Sequence, residues 1–507
     1  MIEPCSHLGQ IPVALASRYG KRPAILDERG EMDFRDLARA AEARAGFFRR
    51  MGSGRGARVG LLAGNGAEWL ALAFGAWQAG LVLVPISTFV TPRELEEIVR
   101  AADLRILVFD PRFRARDLAS VVARVSENWR FERVVSLPDV EREASSGAGG
   151  ADFGEREDPA CILFTSGTTA EPKGVELSHR ALTATVWPTA ERTGLDASDL
   201  LLSTLPLFWV AGLAIRALPT LVAGCALVLP ESFAAETVLA LLERYRPTAL
   251  HLRPAQVGVL RSHPRFRPEL FDRVRRGNGR TDWFPEFAGR DVRFITGYGM
   301  TEMSGYVTAL DWRDPPEKRR FGFGKPLPGV EIRIVGPDGR ALRAGETGEV
   351  RVRGPGLFSR YLGRKPASGL DAEGFFVTGD LGRFDEDGFF EFVGRTKDLL
   401  RVKGVNVSPA EVEFVLGRHP SVEAVHVVGL PPGAAEQEIV ALVVVRPGAR
   451  ATEKELREHA ERTLSSYKRP SHYLFVERGE IPLSSTSKPR RDGLERLAAS
   501  RLGKREL

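Results

Sequence analysis

Between Arg58 and Phe109 the chain alternates short apolar runs with helical patterns, and this alternation restricts the fold more than any other feature. Arg58-Val59-Gly60-Leu61-Leu62, Leu81 to Ile86 and Ile106-Leu107-Val108-Phe109 read as strands, and Ala67 to Gln78 and Pro92 to Ala102 as helices. Strand, helix and strand in succession predict βαβ units around a largely parallel sheet. Only Trp69 to Ser87 has the apolar character of a membrane span. Gly75, Gln78, Gly80 and Pro85 interrupt it, so it reads as helix, turn and strand inside a core, with no integral membrane contact expected.

From about Gly329 the period changes. Val330-Glu331-Ile332-Arg333-Ile334-Val335 and Gly348-Glu349-Val350-Arg351-Val352-Arg353 alternate with period two around a Pro337-Asp338-Gly339 turn, as a half-exposed antiparallel sheet does. Beyond Gly394 the pattern becomes a compact α+β one. Helices are expected over Pro409 to Leu416 and Glu453 to Leu464, and strands over Val425 to Val428 and Ile439 to Val445. A small C-terminal domain is the economical reading.

Composition excludes several classes. With 43% hydrophobic and 27% charged residues, the 507-residue chain is neither disordered, collagen-like nor coiled-coil. The 72 basic and 66 acidic side chains leave a net charge of +6, which favours anionic partners but is too small to argue for nucleic acid. Cys5, Cys161 and Cys225 are far apart and form no Cys-x-x-Cys pair, so a reducing cytosol is the expected setting. The first residues lack the basic patch and apolar run of a signal peptide, and no export is expected.

The most informative segment is Ile162-Leu163-Phe164-Thr165-Ser166-Gly167-Thr168-Thr169-Ala170-Glu171-Pro172-Lys173-Gly174-Val175. An apolar strand runs into hydroxyl residues and glycines, with Lys173 near the end. Hydroxyls and backbone N–H groups can wrap phosphate oxygens, and the lysine adds positive charge. No Gly-Lys-Ser/Thr triplet is present, so this is not a Walker loop. The competing reading, a polar turn between core strands, suits a single Ser-Gly-Thr but not the whole string.

This string closely resembles the phosphate loop of the adenylate-forming superfamily, which includes acyl-CoA synthetases, aryl-CoA ligases, luciferases and peptide-synthetase adenylation domains. The resemblance recurs in order from about Arg22 to Leu494. It implies nucleotide contacts from Thr165, Ser166, Gly167, Thr168, Thr169 and Lys173. In Gly297-Tyr298-Gly299-Met300-Thr301-Glu302 it implies that Tyr298 packs on adenine, Thr301 meets the α-phosphate and Glu302 helps hold a Mg²⁺ ion, with Gly299 also among the nucleotide contacts. Carboxylate oxygen suits that hard cation. Thr378-Gly379-Asp380 resembles the ribose site, with Asp380 accepting from sugar hydroxyls and Arg395 beside it.

Gly394-Arg395-Thr396-Lys397 resembles the junction between large and small domains, and Lys397 takes the hinge position. Lys403 and Gly404 match a loop along the coenzyme A channel, where a missing side chain leaves room for a thin ligand. Lys488 resembles the catalytic lysine that bridges the substrate carboxylate and the α-phosphate. Relatives have glycine just before this lysine, and here Ser487 stands there.

Two stretches depart from the pattern, and both concern the acyl group. Leu205 to Gly212 carries Trp209 where most acyl-CoA ligases have histidine, followed by Val210 and Gly212. An indole can wall a pocket but cannot exchange a ring proton as histidine does. The stretch has no aspartate to pair with an ammonium group, which disfavours amino-acid activation. Gly277-Asn278-Gly279-Arg280-Thr281-Asp282-Trp283 stands where relatives have a glycine-rich turn beside adenine and the acyl group, with Arg280 and Trp283 as the unusual members.

The resemblance implies an α/β fold with a large N-terminal domain, residues 1–396, made of two α/β lobes and a β-barrel-like lobe. A small mobile α+β domain, residues 397–507, closes it. The implied activity uses ATP, Mg²⁺ and coenzyme A to activate a carboxylic acid as an acyl-adenylate and pass it to a thiol. A ligase that loads a carrier protein, and a non-catalytic homologue that binds a nucleotide or acyl ligand, are the alternatives. A Rossmann dehydrogenase fails because Gly52, Gly54 and Gly56 precede a strand and miss the required spacing. No Gly-x-Ser-x-Gly or His-Glu-x-x-His supports a hydrolase or protease.

Overall fold

The alternation between Arg58 and Phe109 folds as expected. Strands Arg58–Leu62, Val82–Pro85 and Ile106–Phe109 pair in parallel, and helices Ala67–Gln78 and Pro92–Ala101 connect them. The second helix is fixed at its start by Pro92 and a capping box. Glu94 N–H donates to Thr91 Oγ1 at 3.2 Å, and Thr91 N–H to Glu94 Oε2 at 2.8 Å. Helix Ala67–Gln78 is buried from Trp69 to Gln78, which explains why it is apolar all round. Gly75 lets helix Phe34–Arg50 cross it closely: a Cβ there would lie 2.5 Å from Arg44 Cβ. Arg44 joins the same two helices through Glu68, with N–O distances of 2.6 and 2.8 Å.

The computed structural model describes the whole chain except residues 53, 144–152, 166–172, 280–283, 288, 365–367, 403–404, 435, 484–488 and 504–507. Two compact units emerge from its contacts: Met1–Ile332 with Val352–Phe376, and Arg333–Arg351 with Val377–Leu507.

The first unit holds two seven-stranded sheets. One orders its strands Arg360–Tyr361, Lys173–Ser178, Pro159–Thr165, Val82–Pro85, Arg58–Leu62, Ile106–Phe109 and Arg133–Ser136. The other runs Arg293–Ile295, Arg276–Asn278, Ala249–His251, Leu200–Ser203, Ala226–Val228, Pro23–Asp27 and Gly30–Asp33, parallel except for its last pair. A smaller antiparallel sheet joins Gly297–Met300, Gly305–Ala309 and Lys325–Pro326.

The second unit contains most of a four-stranded sheet ordered Glu331–Val335, Gly348–Arg353, Phe376–Phe384 and Phe390–Arg395. Burial alternates along Gly348–Arg353, as its period-two sequence requires. A three-stranded sheet follows, Val422–Leu430 with Glu438–Val445 and His472–Phe475. Ile439, Ala441 and Val443 pack in one apolar cluster with residues of helices Pro409–Leu416 and Glu453–Glu461. Val440, Leu442 and Val444 pack in another with Leu494, Ala498 and Ala499 of helix Arg491–Arg501.

Helix Glu453–Glu461 ends before the expected Leu464. Leu464 is nonetheless buried and its N–H donates to Ala460 O at 2.8 Å, so the apolar period outlasts the helix by one turn. Among the described residues no helix is long and apolar enough to cross a membrane. Cys161 and Cys225 are buried free thiols.

Candidate active site

Strand Pro159–Thr165 leads into the hydroxyl-rich loop and Lys173–Ser178 leads out of it, antiparallel. Thr165 and Lys173 are direct partners, so one cross-strand pair fixes both ends of the loop. Ser166, Gly167, Thr168 and Thr169 lie outside the described residues. The Lys173 strand pairs on its other side with Arg360–Tyr361, placing Val175 opposite Tyr361 and Glu176 opposite Arg360. Arg360 forms a two-pronged ion pair with the buried Glu176, at 2.9 and 3.0 Å.

The same short strand secures Glu302. Tyr361 donates its phenol proton to Glu302 Oε1 at 2.7 Å, and Phe358 N–H donates to the Glu302 carbonyl at 2.8 Å. Burial, reinforced by the charge of Glu302, lifts the Tyr361 phenol well above the ordinary tyrosine range, so it remains a donor. Among the described residues, the other Glu302 oxygen accepts no hydrogen bond. Thr301 and Glu302 open a single 3₁₀ turn, Thr301–Met303, between the strands Gly297–Met300 and Gly305–Ala309. Tyr298 is buried and Gly299 exposed. A Cβ on Gly299 would come within 2.4 Å of the Gly305 carbonyl, so this hairpin requires glycine there.

Gly277 and Asn278 end a parallel strand. Ser203, His251, Asn278 and Ile295 form one register row at the carboxyl ends of four adjacent strands. Ligands of open α/β sheets bind outside such ends. Asn278 Nδ2 donates to Ile295 O at 2.8 Å and to the Tyr306 hydroxyl at 2.9 Å. Gly279 follows with φ +114°, a conformation that favours glycine. The space beside Gly277 is filled by the Phe294 ring, 2.4 Å from where a Cβ would stand. Arg280 and Trp283 lie outside the described residues.

Trp209 is half-buried, its ring edge-on to Phe208 at 5.5 Å, and it caps the short helix Val210–Gly212. Val210 is half-buried and Gly212 buried; a Cβ on Gly212 would overlap the Pro206 carbonyl. Asn65 fixes the preceding segment, donating to Leu205 O at 3.0 Å and accepting from Leu207 N–H at 2.8 Å.

In the second unit, Asp380 and Arg395 are direct cross-strand partners, with Arg395 Nε 2.9 Å from Asp380 Oδ1. Asp380 is buried and Arg395 exposed. Thr378 Oγ1 donates to Val350 O at 2.6 Å and accepts from Asp380 N–H at 3.0 Å, across an irregularity in the strand at Gly379, whose φ is +69°. Lys397 sits exposed in the 3₁₀ turn Thr396–Asp398. Lys403, Gly404 and Lys488 lie outside the described residues.

Residues 14–362 match the AMP-binding enzyme family, and residues 411–488 match the AMP-binding enzyme C-terminal domain. The chain belongs to the AMP-binding enzyme family. The larger match takes in Thr165, Lys173, the Tyr298 to Glu302 segment and Tyr361, and the smaller one ends on Lys488. A feruloyl-CoA synthase from an Amycolatopsis species is 31% identical, over 95% of this chain and 97% of its own. An indoleacetate–CoA ligase of Aromatoleum aromaticum is 29% identical, over 97% of each chain. Among solved structures, the anthranilate CoA ligase AuaEII in complex with anthranoyl-AMP aligns with a TM-score of 0.86 at 25% identity, covering 98% of each chain. ATP-bound MatB from Rhodopseudomonas palustris aligns at 0.82 and 27%, covering 98% of this AMP-binding enzyme and 99% of MatB.

Three features of this AMP-binding enzyme escaped the sequence reading: the Tyr361 contact with Glu302, the Asn65 brace and a buried arginine, Arg216. A usable signal existed only for the last. Arg216 is the single charged residue between Trp209 and Pro230.

Proposed function

We propose that this AMP-binding enzyme is an AMP-forming acid–CoA ligase. In the first step a carboxylate oxygen attacks the α-phosphorus of ATP, and the bond to pyrophosphate breaks. In the second, the thiol of coenzyme A loses its proton and attacks the acyl carbon, and the bond to AMP breaks. The feruloyl-CoA, indoleacetate–CoA and sulfoacetate–CoA enzymes among the relatives, each 29% or 31% identical over nearly the whole chain, support coenzyme A as the acceptor.

One linkage carries the reading. The strand leaving the hydroxyl-rich loop pairs with the strand of Tyr361, and Tyr361 holds Glu302. A phosphate-wrapping loop and a single carboxylate are thereby tied together. Mg²⁺ takes one or two carboxylates together with substrate phosphates. Glu302, with one oxygen engaged by Tyr361, fits that demand, and the described residues hold no cluster of three or more His, Cys, Asp or Glu that would cage an ion. When bound, Mg²⁺ offsets negative charge on the phosphate oxygens.

In this reading Thr165, the loop hydroxyls and Lys173 hold the phosphates, and Thr301 donates to the α-phosphate. Tyr298, Gly299 and the Gly277 to Gly279 turn flank the base. Asp380 and Arg395 take the ribose, and Lys488 bridges the attacking carboxylate and the α-phosphate. Charge donors fixed before the reaction lower the cost of charge spreading over those oxygens. Residues from 397 onward turn about Lys397 between half-reactions, bringing Lys403 and Gly404 to the thiol. Trp209, Val210, Gly212, Arg280 and Trp283 belong to the acyl side. A reducing cytoplasm suits the free thiols Cys161 and Cys225.

The test is a panel of carboxylic acids scored for pyrophosphate release and for thioester, with coenzyme A, with an acyl carrier protein and with neither. Acid-dependent pyrophosphate release and a CoA thioester are expected. Release without any CoA thioester, together with loading of the carrier protein, would overturn the acceptor assignment.

A further inference from the structure

Arg216 is 3% exposed and lies on the π-helical turn Leu213–Ala217, which continues directly from the Trp209 to Gly212 segment. Its hydrogen-bond partners are all uncharged. Nε donates to His251 Nδ1, Nη1 to Ile215 O at 2.9 Å, and Nη2 to the Tyr306 hydroxyl at 2.7 Å. The guanidinium carbon also lies 5.6 Å from the centre of the Tyr306 ring. Burial, and then the neighbouring Arg216 charge, push the His251 imidazole well below its ordinary range, so it stays neutral. Among the described residues no carboxylate pairs with Arg216.

A buried cation is costly unless an opposite charge meets it. A guanidinium carries five N–H donors. Among the described residues three of Arg216's donors are engaged, all by neutral acceptors, so two donors are left over and no opposite charge meets the guanidinium. This arrangement suits an anion that arrives with the ligand.

Position decides which part of the ligand that is. His251 belongs to the register row at the carboxyl ends of the parallel strands, and Asn278 stands next to it in the row. The Tyr306 hydroxyl that accepts from Arg216 also accepts from Asn278, and Tyr306 pairs across the hairpin with Gly299. Arg216 is thus connected both to the Gly277 to Gly279 turn and to the Tyr298 to Glu302 segment, while its own turn continues the Trp209 to Gly212 segment assigned above to the acyl group.

We propose that Arg216 is a specificity-determining residue that receives a second anionic group, a carboxylate or a sulfonate, on the acid being activated. The assignment rests on the acid–CoA ligase reading above. The planar donor array of arginine matches the oxygens of either group.

The decisive experiment compares acids that differ only at the distal group, with pyrophosphate release as readout. One arm sets a dicarboxylate against its half-amide, the other a sulfonated acid against its sulfonamide; the arms distinguish the two oxyanions. In the wild-type enzyme the anionic member of at least one pair should have a kcat/KM about 10²-fold higher or more, because a site built around a polar group rejects the analogue that lacks it. Arg216→Met should lower kcat/KM for the anionic acid far more than for its neutral partner, and Arg216→Lys should keep the direction of preference. Wild-type preference for the neutral member in both arms overturns the assignment even if the variants fail to fold. So does an equal fall for both members in Arg216→Met. Absence of release with every acid in the wider panel would instead overturn the ligase reading, and this inference with it.

Discussion

Tyr361 donates its phenol proton to Glu302 at 2.7 Å, although the two residues lie on separate elements of the chain. Val175 pairs with the same tyrosine from the strand that leaves the hydroxyl-rich loop. The Glu302 carboxylate, proposed above to serve a metal-bound nucleotide, is thereby held by the edge strand of the sheet that carries the loop.

Removing that phenol should loosen Glu302 without removing its charge. A hydrogen bond to a charged group contributes about 1.5–3 kcal/mol, so Tyr361→Phe is expected to lower kcat/KM for pyrophosphate release about 10-fold or more. The Mg²⁺ concentration needed for half-maximal rate should rise. An unchanged Mg²⁺ dependence would refute the positioning role.

Lys488 is proposed to act only while the adenylate forms. Lys488→Ala should slow adenylation by about 10²-fold or more, the scale of losing one preorganised donor. Thioester formation from supplied acyl-AMP should fall much less. Equal loss in both half-reactions would remove the assignment.

Lys397 occupies an exposed 3₁₀ turn directly after the strand that carries Arg395. Proline fixes φ near −65° and restricts the residue before it as well. Lys397→Pro should therefore slow coenzyme A transfer more than acyl-AMP formation, as single-turnover rates of the two steps would reveal. An unaltered transfer rate argues against a hinge here.

Burial lifts the Glu413 carboxyl to about 7, while Val427 N–H donates to its Oε1 at 2.8 Å. Between pH 4.5 and 7 the folded state holds a proton that the unfolded chain has released. Stability from this group is therefore present at acid pH and lost as pH rises through that window. Glu413→Gln keeps the acceptor and removes the charge. It should raise the melting temperature by about 2 °C or more at pH 8 and leave it unchanged at pH 5, as calorimetry at the two pH values would measure. A gain of the same size at both pH values would contradict the titration.

The fold was legible wherever periodicity and local signals agree. Ala67 to Gln78 could be placed because an apolar run is bounded by glycine and strand signals, and Pro92 because Thr91 and Glu94 form a cap that local sequence encodes. The end of helix Glu453–Glu461 was harder, since Leu464 keeps the apolar period through a non-helical turn.

The candidate site could be proposed from sequence where neighbouring residues make a motif, as at Thr165 to Lys173 or Tyr298 to Glu302. It was not legible where the partners are distant in the chain. Nothing local to Tyr361 announces Glu302, and nothing local to Asn65 announces Leu205 and Leu207. The direct pairing of Asp380 with Arg395 likewise depends on strand register, which the two motifs did not specify. Arg216 did leave a trace, as a lone charge in an apolar run.

The sheet face formed by Val440, Leu442 and Val444 packs in one apolar cluster with helix Arg491–Arg501, which begins just past Lys488. A stop codon placed to delete the lysine loop would also strip away that helix and leave three adjacent aliphatic side chains facing water. Such a shortened protein would be prone to self-association, because uncovered apolar sheet surface invites it. Its inactivity would report on solubility, so the lysine has to be questioned by single-residue replacement in the full-length enzyme.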